Sequence, residues 1–255
     1  MQNTVLTHHL ATVDSTHAFV KRHYCEYPKD AITRVLASTQ TEGRGRSGQS
    51  WLSPPHQNLY LTYFAYLPKT QPDLANLAQV TAVTVIQFLD HYDLPCRIKW
   101  PNDLLVSNKK IAGTLCEWLD QGDSYATLFS VGINVNMTEE TLSPLHGSAT
   151  SMHLETKLTY SLEPLAATFD TLLATSIALY KRRGFAPFFS TCDRLLVGKG
   201  KPIRCLFNGS PREGVLEGLH PDGRLEIRFS SSELYLATSL EITKLRFNTL
   251  DDSSS

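Results

Sequence analysis

The sequence predicts an α+β fold, a mixed β-sheet with packed helices, followed by a small antiparallel β-barrel. Strand-like segments rich in β-branched and aromatic residues recur up to residue 136. Two long amphipathic segments, 73–91 and 161–182, have helical periodicity. After Leu196 the strands become short and the turns dense, which is typical of a small barrel. We therefore expect a catalytic or binding domain at 1–195, a barrel at 196–248 and a disordered tail at 249–255.

The first elements follow from capping and periodicity. Asp14-Ser15-Thr16 offers an N-cap for a short helix, and Thr33 to Ser38 is a strand. The segment from Asn58 to Leu67 is apolar on both faces, which indicates a central strand. From Asp73 to His91, apolar residues recur at three- and four-residue steps, so this segment is the clearest helix.

Four strands are predicted next, with a short turn at Asn108-Lys109. They are Arg97 to Trp100, Leu104 to Ser107, Ile111 to Trp118 and Ala126 to Asn136. In the last strand, Val131, Ile133 and Val135 alternate with Gly132, Asn134 and Asn136. Because alternate side chains point to opposite faces, one face is expected to pack on the core and the other to line a cleft.

The second long helix and the barrel have clear boundaries. Ser161 can cap the helix, Lys181-Arg182-Arg183 suits its C-terminal dipole, and Gly184 ends it. In the barrel, Asn208-Gly209 predicts a hairpin turn. Alternating apolar residues at 225–229 predict a half-buried strand.

Composition excludes several classes of protein. The chain has 255 residues and a net charge of −1 from 24 basic and 25 acidic residues, which argues against a nucleic-acid-binding surface. No apolar run is long enough for a membrane span, and the N-terminus lacks the pattern of a signal peptide. The five cysteines form no CxxC pair, and no HExxH motif is present. Reduced thiols, a cytoplasmic location and no protein-held metal are expected.

The most informative segment is the glycine–arginine loop, Ser38 to Trp51, in which Arg44 and Arg46 alternate with glycines. Glycine allows backbone amides to approach a ligand, and arginine donates to carboxylates and phosphates. The pattern fits a mobile anion clamp and equally an exposed loop without a ligand. A clamp of this composition is expected to be poorly ordered when empty and to order on ligand binding.

Three further motifs follow this loop. They are Lys99-Trp100-Pro101-Asn102-Asp103, the stretch Lys109 to Glu117 and Val131-Gly132-Ile133-Asn134-Val135-Asn136. In this order and spacing the set resembles biotin protein ligases. The resemblance implies a catalytic domain like those of class II aminoacyl-tRNA synthetases and biotin ligases, with an SH3-like barrel. It implies the monofunctional type, since the catalytic pattern begins by about residue 10 and leaves no room for an N-terminal DNA-binding domain.

The resemblance also implies a two-step reaction with biotin and ATP as substrates and Mg²⁺ as the phosphate counterion. Biotinyl-5′-AMP forms first with release of pyrophosphate, and a lysine of a biotin carboxyl carrier domain of acetyl-CoA carboxylase then displaces AMP. A weak or ligand-induced homodimer is expected, and no nucleic-acid or membrane partner.

Residue roles are carried over position by position. The catalytic residues implied are Lys110, Arg44 and Arg46. The biotin-binding residues implied are Ser15, Thr16, Gln40, Gly43, Arg44, Lys110 and Gly113. The nucleotide-binding residues implied are Arg46, Trp51, Asn102, Asp103, Asn134 and Ala149.

Two positions depart from the family pattern. His17 stands where the family usually has asparagine, and Gln49 where it usually has a basic residue, which removes one charge from the clamp. Three other readings remain open: a lipoate–protein ligase, a biotin sensor that adenylates poorly, and nucleic-acid binding through the glycine–arginine loop. The absence of an Arg-Arg-x-Ser-Gly-Gly-type loop favours biotin over lipoate.

Overall fold

The computed structural model describes residues 5–71, 74–230 and 233–247. The strands are β1 Val5–Val13, β2 Ile32–Gln40, β3 Asn58–Pro68, β4 Arg97–Lys99, β5 Asp103–Val106, β6 Lys109–Asp120, β7 Ser124–Asn134, β8 Lys201–Phe207, β9 Ser210–Leu219, β10 Leu225–Ser230, β11 Glu233–Ala237 and β12 Ile242–Phe247. The helices are α1 Thr16–His23, α2 Leu77–Asp90, α3 Glu139–Leu142, α4 Met152–Thr156, α5 Leu162–Arg183 and α6 Ala186–Arg194.

A seven-stranded sheet forms the larger part of the molecule, in the order β1-β2-β3-β7-β6-β5-β4. Strands β1 and β2 are parallel and the other neighbours are antiparallel, so the sheet is mixed, as predicted. Strand β3 is central and buried along most of its length, which explains why its sequence is apolar on both faces.

Helices α2, α5 and α6 cover one face of this sheet. Within the described residues, α5 alone is both long enough and apolar enough to cross a membrane. Its apolar stripe, however, is part of the main core, including Phe169 and Ile177. Ser176 accepts a hydrogen bond from Thr84 of α2 at 2.8 Å. The helix is therefore explained as a core helix, because its apolar side chains pack on the sheet.

The opposite face of the sheet carries α1 at one end and an open cleft beside it. Val20 of α1 packs with Val35, Phe64 and Leu128 of three neighbouring strands. Ser15 caps α1 by accepting from the backbone N–H of Ala18 at 3.4 Å. The cap and the apolar contact fix the first turn of α1 at the edge of the cleft.

The C-terminal strands form a second sheet in the order β11-β10-β9-β8-β12, antiparallel throughout, consistent with an SH3-like domain. Asn76 and Gln79 donate to the backbone carbonyls of Asp222 and Gly223, at 3.0 and 2.6 Å. The hydrophobic core runs on from the large sheet into this barrel without a break, through residues such as Leu225. The two parts are thus joined by a buried interface.

Most predicted elements are confirmed, with shifts at their ends. The helix expected from Asp73 to His91 consists of a 3₁₀ turn at Leu74–Asn76 followed by α2, and Asp73 lies outside the described residues. The turn expected at Asn108-Lys109 lies at 107–108, because both of these residues have positive φ and Lys109 already begins β6. Strand β1 and helix α6 were not predicted. The expected disordered tail, 249–255, lies outside the residues that the structure describes.

Candidate functional site

The cleft lies above the cross-strand neighbours Gly113 of β6 and Gly132 of β7, between α1 and the glycine–arginine loop. Ten of the predicted site residues line it: Ser15, Thr16, Gln40, Arg44, Arg46, Trp51, Asn102, Asp103, Lys110 and Gly113. The other three, Gly43, Asn134 and Ala149, are not among the residues that line the cleft. The departures His17 and Gln49 are also lining residues.

The glycine–arginine loop folds back on itself over the cleft. The N–H of Gly45 donates to the carbonyl of Gln49 at 2.7 Å, and the N–H of Trp51 donates to the carbonyl of Gly43 at 2.8 Å. A Cβ on Gly43 would lie 2.4 Å from the Trp51 carbonyl oxygen, so the close approach requires glycine. Gly43 therefore shapes the loop.

Trp51 lies on the floor of the cleft. A Cβ on Gly132 would fall 2.5 Å from the indole, and one on Gly113 would fall 3.1 Å from it. The two glycines thus make a flat surface on which the ring rests. The indole Nε1 is buried and has no hydrogen-bond partner. A buried unpaired N–H is costly, which indicates a side chain held there by shape.

Lys110 is a strand residue, and its ammonium points over the same glycine surface. Its Nζ lies 2.6 Å from Oδ1 of Asp103 and 5.1 Å from the centre of the Trp51 ring. Its backbone N–H donates to the Ser148 carbonyl at 3.0 Å, and its carbonyl accepts from Thr150 at 2.9 Å. Residues 148–150, before α4, are therefore hydrogen-bonded to β6 and fix the backbone of Lys110. We call this segment the strap.

The two loop arginines have few partners within the protein. Arg44 is about half exposed, and its nearest carboxylate is Glu42 at 3.9 Å. Arg46 donates to the Ser239 carbonyl of the barrel at 3.2 Å. Burial lowers the pKa of Arg46, while Asp103 acts in the opposite sense. Both guanidinium groups retain donors for an anion in the cleft.

The asparagines serve the backbone around the cleft. Asn102 donates to the Thr114 carbonyl at 2.9 Å, which ties the Pro101-Asn102 segment to β6. Asn134 is buried and donates to the Thr150 carbonyl at 2.9 Å. Ala149 forms a parallel bridge with Lys110. In the described conformation Asn134 and Ala149 hold the strap, and Asn102 also faces the cleft.

The other end of the cleft is a network of buried hydroxyl groups. Gln40 Oε1 accepts from the backbone and the hydroxyl of Thr16, at 2.8 and 3.2 Å. Thr62 of β3 donates to Thr16 at 2.9 Å and lies 2.8 Å from Ser130 of β7. We call Ser15, Thr16, Gln40, Thr62 and Ser130 the hydroxyl end.

Behind the hydroxyl end lies His17, which is 7% exposed. Its Nδ1 is 2.8 Å from Ser130 Oγ, and its Nε2 is 2.9 Å from Glu117 Oε2. Burial lowers the pKa of His17, with the hydrogen bond to Glu117 opposing this. Sequence reasoning missed Thr62, Ser130 and Glu117. Ser130 could have been found, because it lies two residues before Gly132 on the same strand face.

Comparisons with known proteins agree with this architecture. The profile of the Biotin/lipoate A/B protein ligase family matches residues 10–136. The bifunctional ligase/repressor BirA of Escherichia coli is 28% identical over 219 residues, covering 85% of this chain and 67% of that protein. The biotin--[acetyl-CoA-carboxylase] ligase of Paracoccus denitrificans is 28% identical over 207 residues, covering 76% and 83%.

Solved structures give the same result. The biotin protein ligase from Aquifex aeolicus in complex with biotin and ATP superposes with a TM-score of 0.78 at 26% identity, covering 95% of this chain and 99% of that one. The Leishmania major biotin protein ligase in complex with biotinyl-5-AMP has a TM-score of 0.56 at 22% identity, covering 92% and 99%, and supports the fold alone.

Proposed function

The chain belongs to the biotin/lipoate A/B protein ligase family, and from this premise we propose that it attaches biotin to a carrier-protein lysine with ATP, through biotinyl-5′-AMP. The observation that carries the proposal is the polarity of one cleft. Lys110 and Arg46 lie near Asp103 and supply positive charge at one end, and buried hydroxyl groups occupy the other. Arg44 also lines the cleft and acts on the pKa of His17. A long substrate with a carboxylate at one end and a polar ring at the other suits this arrangement.

The first step joins two anions. A carboxylate oxygen of biotin attacks the α-phosphorus of ATP, and pyrophosphate leaves. Fixed positive charge lowers the barrier to such a step by stabilising charge that develops in the transition state. We assign that role to Lys110, whose ammonium is directed by Asp103, and we call Arg46 and Lys110 the cationic end. Arg44 and Arg46 bind the carboxylate and the phosphates.

Mg²⁺ belongs to this proposal as the counterion of the ATP phosphates. In the described residues, no group of three or more His, Cys, Asp or Glu side chains is arranged to hold a metal. Asp103 is the carboxylate at the cationic end, and it is paired with Lys110. This fits a cation bound mainly by phosphate oxygens and water, with Asp103 as the residue that would contact it, and the ion would neutralise charge on the leaving pyrophosphate.

In the second step the ε-amine of a carrier lysine attacks the acyl carbon of biotinyl-5′-AMP, and AMP leaves. We propose that the acceptor is a biotin carboxyl carrier domain of acetyl-CoA carboxylase, consistent with the name of the Paracoccus denitrificans relative. Closure of the glycine–arginine loop would keep water from the anhydride. A cytoplasmic enzyme, with a weak or ligand-induced homodimer, completes the proposal.

The test is transfer of labelled biotin to a purified carrier domain, with and without ATP and Mg²⁺, beside labelled lipoate. Transfer of biotin alone, dependent on both additions, supports the proposal. Binding of biotin without pyrophosphate release identifies a sensor instead, and transfer of lipoate identifies the other branch of the family.

A further inference from the structure

Three side chains from three elements form a continuous chain of hydrogen bonds that ends at the cleft. Glu117 on β6 contacts His17 on α1 at 2.9 Å, and His17 contacts Ser130 on β7 at 2.8 Å. Lys21 donates to the second oxygen of Glu117. Burial acts to raise the pKa of Glu117, but donation from Lys21 and His17 lowers it overall, so Glu117 is a carboxylate that can only accept. The His17 ring is therefore held in one orientation.

The hydroxyl proton of Ser130 is directed away from the cleft. Thr62 donates its own proton to Thr16, so towards Ser130 it can only accept. The other neighbour of the Ser130 oxygen is Nδ1 of His17. Both acceptors for the proton lie inside the protein. What Ser130, itself a lining residue, offers to a ligand is a lone pair.

The hydroxyl end thus presents a defined set of groups. Ser15 accepts from Ala18, and its own proton is donated to no group in the described parts of the chain, so it is a donor for a ligand. Thr16 donates to Gln40 and accepts from Thr62, which leaves it one lone pair. With Ser130, the cleft offers one donor and two acceptors. A cyclic urea carries the complementary set, one carbonyl and two N–H groups.

Strand register indicates which end of a substrate Ser130 meets. Ser130 pairs with Leu115 of β6, and Lys110 lies five residues earlier on that strand. The Lys110 side chain reaches along the strand, and its Nζ lies 3.6 Å from the Cβ position of Gly113, which pairs with Gly132. At about 3.3 Å per residue, Ser130 is therefore roughly 7 Å along the strand from the ammonium. Ser130 thus faces the part of a bound substrate that points away from its carboxylate.

We propose that Ser130 is a specificity-determining residue that accepts a hydrogen bond from one N–H of the substrate's cyclic urea, and that His17 and Glu117 are positioning residues that hold it. The proposal rests on the proposed function, since it takes biotin as the substrate. It adds to that function an acceptor and its support, and it gives a role to the histidine that departs from the family pattern.

The experiment measures the dissociation constants of biotin and of its two mono-N-methyl ureido derivatives for the wild type and Ser130→Ala. We expect Ser130→Ala to weaken biotin about 10-fold, the loss of one hydrogen bond. For the derivative whose methyl group replaces the recognised N–H, the same substitution should change affinity less than about 2-fold. Equal losses for all three ligands, or no loss for biotin, would overturn the proposal.

His17 is tested by replacement and rescue. His17→Leu removes the contact with Ser130 and should reproduce the selective loss for biotin. His17→Asn keeps an amide that can donate or accept. On a logarithmic scale, this variant should recover at least half of the biotin affinity that His17→Leu loses. A purely structural role would weaken all ligands equally in His17→Leu, which would refute the positioning role. Should Ser130→Ala fail to fold, as judged by its melting curve, Ser130→Gly takes its place.

The failure of the proposal and that of the proposed function give different results. If the wild type binds none of the three ligands, biotin is not the substrate and both fall. If the wild type binds biotin and transfers it while Ser130→Ala binds it equally well, only the role of Ser130 falls.

Discussion

The hydroxyl end and the cationic end of the cleft are built in opposite ways. At the hydroxyl end, Thr16, Thr62 and Ser130 are buried and are hydrogen-bonded to one another. At the cationic end, Arg46 has one carbonyl partner and Lys110 one carboxylate partner, and Arg44 on the same loop is half exposed. One end is rigid before any ligand arrives, and the other keeps most of its donors uncommitted.

The two ends therefore have different tasks: the hydroxyl end distinguishes one ligand from another, and the cationic end attracts anions. Neutral groups discriminate well only when their positions are fixed, because a wrong ligand then leaves them unpaired in a buried site. Permanent charges on a loop can follow the phosphates as the reaction proceeds, and they gain strength when loop closure excludes water. Four measurements can test this contrast between the two ends.

The largest effect is expected at Lys110. Lys110→Ala should slow biotinyl-5′-AMP formation about 10²–10³-fold, because it removes charge stabilisation from the transition state. Biotin affinity should fall far less, since the hydroxyl end is intact. Pyrophosphate release and a direct binding titration measure the two quantities. Lys109→Ala, an exposed neighbour at the start of the same strand, is the control and should stay within about 2-fold of wild type. A variant that keeps a tenth of its activity would remove Lys110 from the catalytic role.

The second effect concerns the glycine–arginine loop. Biotin and ATP together should slow trypsin cleavage after Arg44 or Arg46 by about 10-fold or more, because cleavage requires local opening of the loop. Mapping the first cut by mass spectrometry gives the rate at each bond. Cleavage at Lys29, which the ligands should leave unchanged, serves as the reference. Equal rates with and without ligands would show that the loop does not close.

The third effect tests the seat of Trp51. Gly132→Ala should destabilise the fold by about 1–3 kcal/mol, because the new methyl group meets the indole at 2.5 Å. Combined with Trp51→Ala, the same change should cost much less, giving a coupling of at least about 1 kcal/mol in urea unfolding. If the losses in the free energy of unfolding are additive, the Trp51 ring can move away from Gly132 without destabilising the fold.

The smallest effect is a pH dependence from the hydroxyl end. Burial lowers the pKa of His17 below its unfolded value of about 6.5, with Lys21 and Arg44 acting in the same sense and Glu117 against. Stability from His17 is therefore complete above that value and is lost as pH falls through the lowered pKa. Between pH 7 and 5 the wild type should lose up to about 1 kcal/mol more than His17→Asn. A wild type less sensitive to acid than the variant would reverse the sign.

The sequence predicted local features well. The alternation around Gly132 correctly assigned Ile133 to the core, and the glycine–arginine loop does border the cleft. Strand β1 was missed because its residues are largely exposed and show no period-two pattern. Its place in the sheet comes from pairing with β2, and a single sequence does not encode that pairing in any local pattern.

The sequence did not predict which side chains contact each other across different elements. Ser130 and His17 are 113 residues apart, and Glu117 is 100 residues from His17. Contacts between residues this far apart produce no periodic pattern in the sequence from which they could be predicted. Gly113 was predicted as a biotin-binding residue, and the side chain that lies over it here is Trp51. The sequence assigned Gly132 to the cleft-facing side of its strand, but its pairing with Gly113 is shown only by the strand register.

The Trp51 indole covers the surface formed by Gly113 and Gly132, where a bound substrate would otherwise lie. A substrate that lies on Gly113 and Gly132 has to compete with a side chain whose local concentration never changes. The apparent dissociation constant then equals the intrinsic one divided by the fraction of molecules whose indole is displaced. Each 1.4 kcal/mol by which the seated ring is preferred costs a factor of ten in affinity. The affinity of the cleft for any ligand that lies on these two glycines is thus set partly by how tightly the Trp51 indole packs there.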